Sequence, residues 1–511
     1  MNATIVAFLG LYYLVVLGIG FFAVRRGAGD DLEGFLLGGR RLGPLVTALT
    51  LQSTAMSGFM FLGAGALGFT HGYWALWYAA GDIGGGVVVL SVIGRRMRKL
   101  SQMLGSLTSI EYLEHRYPSP ATRLVAASLS IFLLAFYVIA QFIAGGKGLA
   151  LVTGVSYPVA LLLAVAIILL YTFLGGYLAV AYTDFFQSLV MLVGVVWILA
   201  AALLHVGGLT EANRAIGDLD PSLLSVWGRD LEYEGQWGVA LGAVLVFSIG
   251  YMGFPHVVTR NLAMRRPETA RMAGAYATLW NLCFVSSPYL VGILAILILP
   301  DLGDPELAIF RVAESLLPAA ATGIVMAAIM AAIMSTADSL LLQIGSMASR
   351  DLYERFIAPD ASERQMVWVS RGLVLAVGIA GSAIALIEPP SVFGVVVFAT
   401  SVLASAFLPA YVCAVWWKRA NTPGAIVSML VGAGVAFVWE LADLSGPTAL
   451  HPMLAGVTCS TGAMLLVSLA TQRIAPVPAP IVAAMEEAAR LGPPPTRDQS
   501  ETRRAGTRSR A

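Results

Sequence analysis

The sequence predicts an all-α polytopic membrane protein with about thirteen transmembrane helices. Of the 511 residues, 58% are hydrophobic and only 12% are charged, whereas charged residues make up about a quarter of a typical soluble domain. The net charge of +1 provides no general electrostatic attraction to nucleic acid. We therefore expect no nucleic acid among its partners, and the sequence gives no sign of an obligate protein partner.

Thirteen apolar segments are candidate transmembrane helices because each is about long enough to cross a bilayer. An odd number of crossings places the two ends of the chain on opposite sides of the membrane. The segments cover residues 5–24, 43–68, 72–94, 121–146, 157–174, 182–205, 237–256, 271–299, 320–347, 368–387, 392–416, 423–440 and 452–471.

The distribution of basic residues predicts the orientation of these helices. The connections on the side of the C-terminus, with the residues after 471, carry 27 Lys and Arg, against 4 on the opposite side. Basic residues accumulate on the cytoplasmic side of a membrane protein. We therefore expect a multi-pass protein of the inner (plasma) membrane, surrounded by lipid, with its N-terminus outside and its C-terminus in the cytoplasm.

Two of the apolar segments are interrupted by polar residues, glycine or proline, at Gln52–Gly58 and at Ser248–Pro255. A break in a helix frees backbone groups that lipid cannot pair, so it survives only where it faces protein or a cavity. Each broken segment opens a run of five helices, and an odd-numbered unit repeated in tandem is inverted. We therefore expect residues 43–205 and 237–416 to form two inverted five-helix repeats.

The rest of the chain divides around these repeats. We expect an extra N-terminal transmembrane helix with the first cytoplasmic loop in 1–42, an extracellular loop in 206–236, two C-terminal transmembrane helices in 417–475 and a disordered cytoplasmic tail in 476–511. The glycines of Gly81–Gly86 have a simpler interpretation, which is the close packing of neighbouring helices.

Four polar residues, Ser335, Thr336, Asp338 and Ser339, interrupt the apolar segment 320–347. A carboxylate at the centre of a bilayer costs at least ~2.5 kcal/mol, so it marks a candidate functional site. Positions 335, 338 and 339 share one face of a helix, and their oxygens suit a small cation. The alternative is that the hydroxyls bond to carbonyls one turn earlier and that Asp338 faces a watery crevice.

Six short motifs carry a resemblance to a known family: Phe35–Gly43, Met56–Gly58, Gly175–Asp184, Gly250–His256, Ala331–Ser339 and Arg350–Tyr353. Through them the chain resembles the sodium/solute symporters, and most closely the bacterial sodium/proline symporter branch. The similarity runs from about Tyr12 to the end of the thirteenth segment. Similarity to the pantothenate and monocarboxylate branches is visible at Gln141–Gly146.

The resemblance implies a leucine-transporter-like core of two inverted five-helix repeats, with one extra helix before it and two after it. It also implies alternating access, in which a sodium ion enters down its gradient together with a small organic solute. The main sodium site would use the carbonyls of Ser53, Met56 and Ala332 and the hydroxyls of Ser335 and Thr336. A second sodium site or ion path would involve Asp184, Asp338 and Ser339. The solute would contact Ser57, Gly58, Tyr137, Phe247, Tyr251 and Pro255.

The sequence departs from the proline branch at two of the resembling positions. Ala55 replaces an Asp, and Phe247 replaces a Trp. We hypothesise that Asp338 supplies, from the other repeat, the negative charge that is missing at Ala55. Asp184 has an alternative role as a helix N-terminal charge, and Asp82 either meets an amine of the solute or faces a polar crevice.

The function expected from these residues is secondary active import of a small organic solute with sodium. The N-termini of half-helices favour an anionic group, which suggests a carboxylate-bearing solute such as proline or a similar amino acid. The alternatives are a sodium- or proton-coupled monocarboxylate or pantothenate symporter, and a solute sensor that does not transport. The sequence has no zinc-protease, GxSxG or Walker A motif, so we expect no enzyme activity.

The hypothesis on Asp338 makes a direct prediction. Replacing Asp338 by Asn should reduce the dependence of solute uptake on sodium, because the carboxylate charge that would attract the cation is removed. The measurement is the initial rate of uptake as a function of sodium concentration. An unchanged sodium dependence in the variant would show that the hypothesis is wrong.

Overall fold

The computed structural model describes residues 3–25, 32–387 and 391–490, and its helices form the crossings that hydrophobicity predicts. Residues 26–31 of the first expected loop and 491–511 of the expected tail lie outside the described residues. The first half contains α1 Ala3–Arg25, α2 Pro44–Ala55, α3 Gly63–His71, α4 Leu76–Val89, α5 Arg95–Met103, α6 Ser109–Arg116, α7 Pro120–Thr153, α8 Tyr157–His205 and α9 Leu209–Leu219.

The second half repeats this order of crossings. A short helix with a broken continuation is again followed by four further crossings, and two more helices and a terminal helix complete the described chain. These elements are α10 Trp237–Val246, α11 Pro255–Ala263, α12 Thr269–Phe284, α13 Ser286–Ile298, α14 Ala308–Leu316, α15 Ala319–Ser346, α16 Glu363–Ala385, α17 Val392–Trp416, α18 Thr422–Leu441, α19 Pro452–Ala470 and α20 Ala479–Ala489.

Length and composition alone make ten stretches of the described residues able to cross a membrane. One of them, Gly58–Met103, joins parts of two crossings, and Tyr157–Phe173 and Trp237–Val246 are shorter apolar helices. Counting the two parts of Gly58–Met103 separately and adding these two shorter helices brings the ten stretches to the thirteen expected crossings.

Both predicted helix breaks are present, although the first begins later than expected. Gln52 to Ala55 remain helical, and the chain becomes extended only at Ser57, with φ −71° and ψ −173°. In the second break, α10 ends at Val246 and Phe254 is extended just before Pro255 opens α11. Proline favours this first helical position because its fixed φ suits the helix and its missing N–H is not needed there.

Two other expectations about the chain's course need correction. The expected connection between residues 174 and 182 is replaced by a kink at Gly176, where φ is 59°, a backbone conformation that glycine adopts without steric cost. Residues 479–489 of the expected disordered tail form α20. Ile481 and Met485 of this helix are buried, and Lys418 donates to Glu486 at 2.8 Å. The buried apolar side chains of α20 and this ion pair therefore dock the tail onto the helix bundle.

We call the side of the bundle that carries the loop 206–236 the loop side, and the side that carries α6 and α20 the tail side. On the tail side, the segments before α2 and after α11 are joined. Leu42 pairs with Met264 in a β-bridge, and Arg40 donates to the carbonyls of Ser106 and Leu262 at 2.7 and 3.2 Å. These bonds connect the tail-side ends of the two broken helices.

A buried ion network also lies on the tail side and joins α6 and α7 to the helical segment Met347–Ile357, which continues from α15. Arg123 contacts Asp351 at 2.8 Å and Glu114 at 2.9 Å, and Arg350 contacts Glu111 at 3.0 Å. Burial alone would raise the pKa of Glu111, but the guanidinium groups of Arg350 and Arg123 outweigh it, so this pKa lies below its usual value. The network therefore links the two halves of the chain on this side.

Glycines on α4 allow the second broken helix to approach closely. A Cβ atom on Gly81 would lie 2.2 Å from the carbonyl oxygen of Val244, and one on Gly85 would lie 2.2 Å from the ring of Tyr251. Nothing lies within 4 Å of the corresponding position on Gly84. The packing interpretation of these glycines is therefore correct for Gly81 and Gly85 and does not apply to Gly84.

Replacing Gly81 by Ala should lower the melting temperature of the purified protein in detergent. The added methyl group meets backbone that cannot move aside, and overpacking of this kind costs about 1–3 kcal/mol. Gly84→Ala is the matched control, and it should be neutral or stabilising because alanine favours the helix. Equal melting temperatures for the two variants would contradict this account of the α4 packing.

Candidate functional site

The first helix break meets the middle of α15, and hydrogen bonds from two hydroxyl groups make the contact. Ser335 Oγ donates to the carbonyl of Ser53 at 2.9 Å, and Thr336 Oγ1 donates to the carbonyl of Thr54 at 3.0 Å. Both hydroxyls also reach the carbonyl of Ala332, at 3.3 and 3.1 Å. Five oxygens from the two halves of the chain therefore converge at one fully buried place.

The structure brings together four of the five residues predicted for the main sodium site and adds one. Ser53, Ala332, Ser335 and Thr336 share the hydrogen bonds just described. Met56 is fully buried two residues after Thr54, and its amide closes the last turn of α2 on Gln52 at 2.8 Å; its carbonyl as a ligand stays a prediction. The carbonyl of Thr54 was missed because helix breaks cannot be placed to one residue from sequence.

A buried arginine sits beside this place and bonds to both halves. The Arg260 guanidinium donates to Thr54 Oγ1 and to Ser339 Oγ, each at 2.6 Å, and lies 3.5 Å from Asp184 Oδ2. Asp184 also accepts a hydrogen bond from Thr50 at 2.5 Å. A charged pair with almost no exposed surface needs such additional hydrogen bonds to offset its loss of hydration.

The position of Arg260 differs from the one that the distribution of basic residues predicts. It was counted with the basic residues of a cytoplasmic loop, but it lies inside α11 and is 1% exposed. Asp184 lies inside α8, well past the kink at Gly176, so the alternative of a helix N-terminal charge is wrong. The signal in the sequence was a basic residue five positions after the helix-starting Pro255, flanked by apolar Val258 and Leu262.

Asp338 lies on α15 next to this cluster, and its nearest partner is on α8. Tyr171 donates to Asp338 Oδ2 at 2.7 Å and to the carbonyl of Met334 at 3.2 Å. The second oxygen of Asp338 and the second oxygen of Asp184 have no hydrogen-bond partner among the described residues, although both are buried. The suggested watery crevice at Asp338 is not present, because this side chain is 0% exposed.

The six residues predicted to contact the solute lie around the two helix breaks. Ser57 caps the helical turn Gly58–Phe61, its Oγ accepting from the Phe59 amide at 3.1 Å, and the Gly58 amide donates to Gln141 Oε1 at 2.9 Å. Gln141 is not among the predicted site residues, and its hydrogen bond holds α7 against the first break. Near the second break are Tyr137, Phe247, Tyr251 and Pro255, all buried.

Four aromatic rings, two from each half, close the region between these residues and the loop side. Phe59 packs against Phe247 and Phe393 with ring centroids 5.1 and 5.6 Å apart. Tyr78 completes the group, at 5.9 Å from Phe247 and 5.7 Å from Phe393. We call these four side chains the aromatic gate.

A cavity of about 600 Å³ lies on the loop side of the aromatic gate, and Tyr78 and Phe393 form part of its wall. On the tail side, the cleft beside Arg260 and Ser339 has a volume of only about 10 Å³. The cavity therefore reaches from the loop side as far as the aromatic gate. The cleft on the tail side is too small to admit a solute.

Residues 35–432 match the model of the sodium:solute symporter family. The chain belongs to this family. Because this match covers well over half of the chain, the sequence-based assignment to the family is confirmed, and the chain is a membrane transporter and not an enzyme. The symporter couples the movement of a small solute to sodium.

The relatives of the symporter include bacterial proline transporters. The osmoregulated proline transporter OpuE of Bacillus subtilis is 29% identical over 480 residues, which cover 93% of this chain and 96% of OpuE. The high-affinity proline transporter PutP of the same organism is 29% identical over 461 residues, covering 89% of this chain and 95% of PutP. Sodium/proline symporter 2 of Staphylococcus saprophyticus is 27% identical, and the matched residues cover 92% of that protein.

Two solved structures share the fold. A substrate-bound, outward-open sodium-coupled sialic acid symporter superimposes with a TM-score of 0.75 at 19% identity, covering 92% of this chain and 98% of the other. The nucleobase-cation-symport-1 transporter Mhp1, in a closed conformation with bromovinylhydantoin, gives a TM-score of 0.56 at 16% identity, covering 89% and 98%. The leucine-transporter-like fold with two inverted five-helix repeats is therefore confirmed.

Replacing Arg260 by Gln should destabilise the symporter by about 3–5 kcal/mol, because it leaves the buried carboxylate of Asp184 without its counter-charge. Adding Asp184→Asn should recover part of this loss, since the double variant has no unpaired charge at this position. The free energies of unfolding of the two single variants and the double variant form a double-mutant cycle. Additive losses in the cycle would contradict a direct interaction between the two side chains.

Proposed function

We propose that the symporter imports a small carboxylate-bearing solute, proline or a similar amino acid, together with sodium, by alternating access. The observation that carries the proposal is the contact of Ser335 and Thr336 with the carbonyls of the first helix break. Hydroxyl and carbonyl oxygens are hard ligands that suit a small cation. A sodium ion bound there would touch both halves of the protein, so its binding would bias their relative arrangement.

The proposed main sodium site consists of the carbonyls of Ser53, Met56 and Ala332 and the hydroxyls of Ser335 and Thr336, with the Thr54 carbonyl as a further candidate. The two hydroxyls now donate to carbonyls. A hydroxyl group also has lone pairs, so a small rotation about its C–O bond would turn the hydrogen away and direct a lone pair at the cation.

The second ion path that we propose contains Asp184, Asp338 and Ser339. Its support is the pair of buried carboxylate oxygens, one on each Asp, that lack a partner among the described residues. With both carboxylates ionised, Arg260 balances only one of the two charges, and a sodium ion would balance the other. Ser339 already bonds to Arg260 and to Thr54, at 2.6 and 3.0 Å, so the guanidinium group would share this path with the ion.

The proposed solute site lies between the two helix breaks. Beside the first break, Gln141 Nε2 is buried without a partner among the described residues, and a donor left in this way would bond to a carboxylate oxygen. The aromatic rings of Tyr137, Phe247 and Tyr251 would enclose the apolar body of the solute. Proline transport by relatives of 27–29% identity supports this substrate class.

We propose the plasma membrane as the location, with the tail side in the cytoplasm and lipid around the outer helices. Several of the counted arginines, including Arg116, Arg123 and Arg260, are buried in the protein and do not report on orientation. The basic excess on the tail side remains without them. The cavity on the loop side would then face the outside, and the aromatic gate would have to open before a solute could load from there.

Sodium-driven accumulation tests this proposal. The purified symporter in proteoliposomes would receive an inward gradient of sodium, of protons, or of neither, with labelled L-proline, lactate or pantothenate outside. We expect concentrative uptake of L-proline or a similar amino acid with the sodium gradient alone. Uptake driven by the proton gradient without sodium, or binding without accumulation, would contradict the proposal.

Removing a proposed ligand should weaken the response to sodium and leave the fold intact. Ser335→Ala should raise the sodium concentration for half-maximal uptake by about tenfold, which corresponds to roughly 1.4 kcal/mol. Ser382→Ala is a matched control, because Ser382 is a buried serine whose Oγ only bonds back to Gly378, at 2.6 Å. If both variants kept the wild-type sodium response, Ser335 would not be a ligand.

A further inference from the structure

Asp82, on α4, is a buried carboxylate outside the ion cluster described above. One of its oxygens, Oδ1, accepts a hydrogen bond from the Tyr251 hydroxyl at 2.5 Å. The other, Oδ2, has no partner among the described residues, and the side chain is 1% exposed. Such an oxygen loses its hydration without a compensating bond, so a cationic partner would stabilise it.

The backbone on either side of this carboxylate is held by a second buried network. Asn281 Nδ2 donates to the carbonyls of Asp82 and Ile83 at 2.9 and 3.1 Å, and Gln52 Nε2 donates to Asn281 Oδ1. The free oxygen of Gln52 is also buried without a partner among the described residues. α4 is thus fixed to α2 and α12, and two unpaired acceptors remain in the same region.

An unpaired hydrogen-bond donor lies on the other side of the proposed solute site, at the first helix break. Gln141 uses its Oε1 to accept from Gly58, and its Nε2 donor is buried without a partner among the described residues. Tyr137, one turn earlier on α7, packs against His256 at the second break, with ring centroids 5.9 Å apart. The solute region therefore has acceptors on the α4 side and a donor beside a helix start on the α7 side.

We infer that Asp82 binds the amine of a zwitterionic solute and thereby selects amino acids over carboxylates that have no amine. The inference rests on the proposed sodium-coupled import and adds the residue that would select the substrate class. The ammonium group of the solute would bond to Asp82 Oδ2, while its carboxylate would accept a hydrogen bond from Gln141 Nε2. A site built to pair an N–H group rejects an analogue without it, because its own buried acceptor is then left unpaired.

The tyrosine at the second break positions this carboxylate. The Tyr251 ring lies 2.2 Å from the place of a Cβ atom on Gly85, so it packs directly against the backbone of α4. Solute binding at Asp82 would therefore act directly on the second broken helix through the Tyr251–Asp82 hydrogen bond.

The test compares L-proline with cyclopentanecarboxylate, which has nearly the same ring and carboxylate but no amine. In wild-type proteoliposomes with a sodium gradient, we expect L-proline uptake that cyclopentanecarboxylate does not inhibit. In Asp82→Asn, the KM for L-proline should rise by at least about 30-fold, because truncating one partner of a buried charge pair typically costs 2 kcal/mol or more. Asp443→Asn, at an exposed position, is the control and should match the wild type.

A sodium-binding measurement on the purified variant separates specificity from misfolding. Asp82→Asn should bind ²²Na⁺ in the absence of solute as the wild type does, since Asp82 is not among the proposed sodium ligands. Wild-type L-proline affinity in Asp82→Asn, or equal uptake of cyclopentanecarboxylate by the wild type, would overturn the inference.

Failure of the inference and failure of the proposed function give different results. Sodium-driven uptake of lactate but of no amino acid would leave sodium coupling intact and overturn the role of Asp82. Absence of sodium-driven uptake of any solute would overturn the proposed function and the inference with it. The wild-type comparison decides between these outcomes even if Asp82→Asn does not fold.

Discussion

The structure depends on one constraint, which is that a helix broken inside a membrane must find partners for its freed backbone groups within the protein. The first break finds them in the other half of the chain, where Ser335 and Thr336 bond to the carbonyls of Ser53 and Thr54. The second break keeps Tyr251 against α4. The same bonds that make the breaks stable therefore join the two halves, and any ligand that replaces them acts on both halves at once.

Charge in the buried region is arranged around Arg260. This guanidinium group contacts Thr54, Asp184 and Ser339, which come from three different helices. A built-in cation at this place reduces the cost of burying carboxylates, and in the proposed function it leaves one of them, Asp338, for a mobile ion. Asp82 lies apart from this group with its own partner, Tyr251, which allows ion and solute to be recognised by different carboxylates.

Much of the fold could be predicted because hydrophobic length and helix-breaking residues are local signals. The thirteen crossings, the two breaks and the buried polar residues of α15 were visible in this way. Arg260 was not, because its partners Thr54 and Asp184 are distant in sequence and a lone arginine near a loop resembles a topology signal. The helix α20 was missed because it lies in the segment 476–511, which is rich in proline and arginine. A helix of eleven residues is marginal alone, and the docking of Ile481 and Met485 onto the bundle stabilises it.

The account makes sodium and solute mutually dependent, because both would bind where the two halves meet, and the reciprocal effect of two ligands is equal by thermodynamic linkage. The most direct test measures the affinity of the purified symporter for L-proline at increasing sodium concentrations, and its affinity for sodium at increasing L-proline. We expect each ligand to tighten the binding of the other by the same factor, and this coupling to weaken in Ser335→Ala. Solute affinity that does not change with sodium, or that follows pH instead, would contradict the central claim.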